Sequence, residues 1–181
     1  MEYFSDEPDS SDSEQETANE TQETSNDMKM WYNRACITRA LNAIGCKYKF
    51  DYYDGGCIIV EFQNKSFFMY SENQCLRIKT VHRSEPNRME YIDTDDPAAQ
   101  ALWEAVNDIN RRTSCKVVMR YYAGKIIIYI SNIVCLLPDS LYPDSLYNDM
   151  YLRSCLNSII DAGEQLDRTF RLLRLRQQSM N

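Results

Sequence analysis

Apolar and polar positions change period several times along this chain, and each change marks an element. After a polar opening, Ile37, Leu41 and Ile44 recur at helical spacing, and Gly45 stands where a helix stops in the left-handed conformation. Four short runs follow, KYKFDYY, CIIVEF, SFFMY and CLRIKTV, rich in aromatic and β-branched residues and separated by DGG, QNK and SEN. Such turn residues between such runs predict an antiparallel meander. A polar stretch from His82 to Asp96 leads into a second helix, with Asp96 as N-cap, Pro97 as first helical residue, and Leu102, Val106 and Ile109 on one face. CKVVMRYY and KIIIYISNIV, joined at Ala123-Gly124, predict a further hairpin. The last element is a helix whose Leu152, Leu156, Ile159, Gly163, Leu166, Phe170 and Leu173 alternate steps of four and three. Gly163 is the small residue of that seam, which suits a domain core or a dimer contact.

The predicted class is therefore α+β, with order α-ββββ-α-ββ-α and helices packed on an antiparallel sheet. One domain is expected over residues 29–176, preceded by a tail (1–28) and followed by a frayed end (177–181). The strand KIIIYISNIV makes a demand of its own. Ile126, Ile128 and Ile130 share one face, Ile127 and Tyr129 the other, so both faces call for cover. Either the three helices divide across the sheet or a second subunit closes the other face, because an open apolar strand invites edge pairing. A homodimer is the expectation, with Ile127 and Tyr129 as partner-binding residues. The tandem PDSLYPDSLY adds Leu141, Tyr142, Leu146 and Tyr147 as a second candidate contact, against the simpler reading of a connector that packs its own aromatics down.

Charge changes the picture at the N-terminus. Residues 1–28 hold ten of the 27 acids and none of the 20 bases, leaving the remainder three charges positive. A segment this polar cannot offset its ordering entropy, so the tail is expected to be disordered, as a solubilising extension or a tether to a basic surface. No apolar run approaches the roughly 18 residues that span a bilayer, and the acidic start is unlike a secretory signal. A soluble, cytoplasmic protein is expected, without membrane contact. The seven cysteines are odd in number, never paired as C-x-x-C, and mostly set among apolar residues, which reads as reduced core thiols.

Chemistry-bearing residues are few. His82 is the single histidine, which excludes multi-histidine metal sites, and beside Arg83 at a strand end it reads as a solvated surface residue. The acids of DTDD, ahead of the second helix, read as caps and dipole partners before a cation site. No P-loop or G-x-G-x-x-G is present, and the chain is expected not to be an enzyme and to hold no cofactor or metal. A core charge near +3 and the lack of RNA-recognition glycines around KSFFMY argue against nucleic acid. Arg111 and Arg112 complement the negative end of the second helix, and Asn107 and Asn110 are expected to bond to the loop beyond it. An alternative use for Arg111, Arg112 and Arg120 is as polar contacts of a small ligand enclosed between the sheet and the second helix.

The segments ALNAIGCKYKF, GGCIIVEFQNKSFFMYSENQCLRI, ALWEAVNDINRRTSCKVVM and YLRSCLNSIIDAGEQLDRTF, in this order, resemble the YbjN family, whose fold is similar to type III secretion chaperones. The resemblance covers residues 30–172. It implies a non-enzymatic, intracellular and dimeric module, a bacterial regulator of sensory transduction with a chaperone-like surface, and it carries over no individual site residue. The function expected is the binding of another, unidentified protein through an apolar sheet or helix surface. The small-ligand sensor is the alternative.

Overall fold

A computed structural model describes residues 34–51, 56–72, 75–82, 97–122, 125–135 and 146–180. The tail, most of the polar stretch with its cap Asp96, and the tandem repeat up to Leu141 and Tyr142 lie outside the described residues, as do the side chains of Leu146 and Tyr147.

The first helix, α1, covers residues 34–43. It ends as Gly45 requires: at φ 75° the Gly45 amide donates to Asn42 O and the Cys46 amide to Leu41 O, satisfying two carbonyls the helix leaves open. The meander then runs through β1 (Lys47–Asp51), β2 (Cys57–Phe62), β3 (Lys65–Glu72) and β4 (Cys75–His82). Phe62 pairs with Lys65 around Gln63 and Asn64, whose φ angles of 49° and 60° make the two-residue turn that matches strand twist. Pro97 opens α2 (Pro97–Arg112), as expected. Strands β5 (Lys116–Tyr122) and β6 (Lys125–Val134) form the hairpin, and α3 (Leu146–Met180) closes the described chain, continuing beyond Arg176, where the sequence suggests fraying.

The sheet order is β1-β2-β3-β4-β6-β5, with every neighbouring pair antiparallel. The chain leaves β4, crosses through α2 to the edge strand β5, and returns as β6 into the gap. The element order α-ββββ-α-ββ-α is that of the sequence pattern, and the fold is α+β.

Cross-strand partners share a face of a sheet, so the register sorts every side chain. One face carries Ile58, Val60, Phe67, Met69, Leu76, Ile78, Thr80, Ile128, Ile130, Val134 and Val117, all buried. It joins a single core with Ile37 and Leu41 of α1, Leu102, Val106 and Ile109 of α2, and Leu152, Leu156, Ile159 and Leu166 of α3. The three helices therefore lie on one side, neither divided across the sheet nor arranged for α3 to present its seam to a second subunit. That seam is core.

Gly163 shows why. A β-carbon there would stand 2.8 Å from His82 Nδ1 and 3.3 Å from Ile130 Cδ1, so glycine lets α3 pass close over β4 and β6. Beneath it His82 is no solvated surface residue. Its side chain is 6% exposed, and Nε2 is 2.9 Å from Asp167 Oδ1, one turn along α3. The polar group at the strand end is buried because the carboxylate satisfies it.

Candidate functional site: the open sheet face

Among the described residues, no helix lies on the other face. The register places on it Lys47, Lys49 and Asp51 of β1, Cys57, Ile59 and Glu61 of β2, Ser66, Phe68 and Tyr70 of β3, Cys75, Arg77, Lys79 and Val81 of β4, Ile127, Tyr129, Ser131 and Ile133 of β6, and Lys116, Val118 and Arg120 of β5; of these Cys57 is buried. Six of these are bases and two are acids. One row crosses the whole sheet as Lys49, Ile59, Phe68, Lys79, Ser131 and Lys116. Along it an apolar pair, Ile59 and Phe68, lies between Lys49 and Lys79, and Ser131 lies between Lys79 and Lys116.

Tyr129 lies at the centre of the β4-β6-β5 half, between Val81 and Val118. The Lys79 ammonium sits 4.0 Å from its ring centroid and the Arg120 guanidinium 5.8 Å from it, so two cations flank one aromatic. Among the described residues no second layer packs on this face, and the cationic side chains cover part of it. Lys and Arg stems lie along the apolar side chains while their charged heads stay in water, leaving Ile59, Phe68, Ile127, Tyr129 and Val118 only partly exposed. Val81 and Ile133 remain open to solvent at 36% and 53%.

The sequence-predicted residues fall in three places. Ile127 and Tyr129 stand on the open face. Leu141 and Tyr142 lie outside the described residues, and Leu146 and Tyr147 occupy the first turn of α3. The three arginines are not brought together: Arg111 and Arg112 are on the exposed end of α2, beside an open groove of about 500 Å³ shared with Leu172 and Arg176 of α3, whereas Arg120 is on the opposite face of the sheet. The interface of α2 with the sheet is filled by Leu102, Val106 and Ile109. Arg111 Nε donates to Asn107 O and Arg112 Nε bonds Asp108 Oδ1 at 2.8 Å, the helix-end roles expected of them.

Asn110 does bond beyond the helix. Its Oδ1 accepts from the Val117 amide at 2.7 Å and its Nδ2 donates to Val117 O at 3.0 Å, so one side chain acts as a short strand partner at the start of β5. Most of the thiols behave as core. Cys36, Cys46, Cys57, Cys115 and Cys155 are buried. Burial, with Cys155 and Asp161 nearby adding to it, pushes Cys115 up to about 11, and burial also raises Cys46 and Cys155.

Reading single strands missed Arg77, Lys79, Lys116, Phe68 and Tyr70 as one surface. The signal was present in CLRIKTVH, where Arg77, Lys79 and Val81 alternate with Leu76, Ile78 and Thr80. Only the order β4-β6-β5 places that alternation beside Tyr129.

No family model matches this chain, and no curated protein does. Among solved structures, an uncharacterized protein from Methanothermobacter thermautotrophicus is similar in fold, with a TM-score of 0.52 at 10% sequence identity over 76% of this chain and 96% of that one.

Proposed function

We propose that this protein is a non-enzymatic, intracellular binding module, chaperone-like or regulatory, whose open sheet face takes an acidic segment of another protein that also carries apolar side chains. The observation that carries this reading is a face that no described helix covers, with Tyr129 between two cations and partly exposed Ile59, Phe68, Ile127 and Val118 on the same face. Apolar positions offer contact area and the interleaved bases offer partners for carboxylates. Charge selects the occupant. A second copy laid face to face would set two surfaces with an excess of bases against each other, six bases to two acids among the residues named on each, which favours an acidic partner over the homodimer that β6 alone suggests. The resemblance to the YbjN family agrees with a binding role. The single histidine, held under α3 by Asp167, is engaged in packing.

The test is fluorescence anisotropy with a labelled twelve-residue peptide mixing Glu with Phe and Leu, and a control in which Lys replaces Glu. The expected result is saturable binding of the acidic peptide, weakened by salt and reduced more than tenfold by Lys79→Glu with Arg120→Glu, while the melting curve is retained. Equal affinity for the control peptide, or no loss in the double variant, would overturn the proposal.

A further inference from the structure

Two cysteines stand apart from the other five. Cys75 is the first residue of β4 and Cys135 follows the last residue of β6. The β4–β6 register ends at Leu76 and Val134, and extending it by one places Cys75 opposite Cys135, with both side chains on the open face. Their sulfurs are 3.1 Å apart. Cys75 is half-buried and Cys135 exposed, so this pair can be reached from solvent where the five buried thiols cannot. A disulfide has its sulfurs about 2.05 Å apart, so closure asks for a shift of about 1 Å between side chains already in contact.

We propose that Cys75 and Cys135 form a thiol–disulfide modification site, closed by exchange with a low-molecular-weight disulfide such as glutathione disulfide. The exposed Cys135, as thiolate, attacks one sulfur of the small disulfide and expels the first glutathione thiolate, leaving a mixed disulfide on Cys135. The Cys75 thiolate then attacks the Cys135 sulfur and expels the second. Two protein thiols are oxidised by two electrons, one glutathione disulfide is reduced to two glutathione molecules, and the thiol protons pass to the departing thiolates. The bond links residues 60 apart in sequence and ties the start of β4 to the end of β6, at the margin of the open face beside Ile133. It does not depend on what that face binds.

The experiment equilibrates the reduced full-length protein in buffers of graded glutathione and glutathione disulfide, quenches with acid, alkylates the unfolded chain with N-ethylmaleimide and maps the peptides. The expected product is a Cys75–Cys135 linked peptide whose yield follows the buffer ratio, with the other five cysteines alkylated. The oxidised form should melt about 5–10 °C higher than the reduced one, because the link constrains the unfolded chain. Cys75→Ser should accumulate a persistent glutathione adduct at Cys135, which the wild type resolves. An adduct at Cys135 that is equally persistent in the wild type, full alkylation of both residues across the series, or linkage to any other cysteine would overturn the proposal.

Discussion

The two faces of β4 and β6 come from the same residues read at odd and even positions, yet they meet opposite environments. On one side Ile78, Thr80, Ile128 and Ile130 are buried, with α3 packed over β4 and β6. On the other, Lys79, Val81, Ile127 and Tyr129 face solvent. Apolar content alone does not separate them, since Ile127 on the open face is the same residue type as Ile128 and Ile130 on the covered one. What separates them is the adjoining strands: the covered face receives apolar, hydroxyl and amide neighbours and one histidine that Asp167 satisfies, whereas β4 and β5 place Arg77, Lys79, Lys116 and Arg120 on the open one. A strand's demand for burial is therefore settled by the sheet, with cationic stems able to meet part of it.

Substitutions on the two faces should break this comparison or sharpen it. The largest effect is expected from Gly163→Leu, which puts a side chain where a single β-carbon already stands within 2.8 Å of His82. A loss of about 3 kcal/mol in urea unfolding is predicted, and an unchanged midpoint would refute the close passage of α3 over the sheet. Alkaline pH comes next. Cys115 has its folded value raised to about 11 from 9.0, so its contribution to stability is full below about pH 9 and is lost as pH rises toward 11. Up to about 2 kcal/mol should disappear over that window, and Cys115→Ala should flatten this part of the pH profile of Tm. Removing the Asn110 clamp by Asn110→Ala should cost about 1–2 kcal/mol and speed hydrogen exchange at the Val117 amide. Unchanged exchange there would show that the clamp does not hold β5.

Tyr129→Ser should be the mildest for stability, below about 1 kcal/mol, because it removes a half-exposed ring and its cation–π contacts without opening a core cavity. The same change should lower affinity for the acidic peptide about tenfold. A variant that unfolds the protein while sparing affinity would invert the roles assigned to the two faces.

The regular elements were legible because each has its own signal. Gly45 ends α1 at positive φ, Pro97 opens α2, and the four-and-three spacing from Leu152 to Phe170 faces the core. Three features needed the third dimension. His82 looked solvated because its shield, Gly163 and Asp167, lies more than 80 residues away. Arg120 looked like a companion of Arg111 and Arg112 because proximity along the chain hides the sheet between them. Cys75 and Cys135 became neighbours only when β6 inserted between β4 and β5. The missing information was helix packing for His82, face of the sheet for Arg120 and strand order for the cysteines, none of which local periodicity encodes.

The central claim, that binding belongs to the open face, is tested most directly by mapping backbone amide shifts in a 15N-labelled sample titrated with the acidic Glu, Phe and Leu peptide. The account predicts that shifts concentrate at residues 77–81, 116–120 and 127–131. Shifts gathered instead around Arg111, Arg112, Leu172 and Arg176, in the groove between α2 and α3, would contradict it.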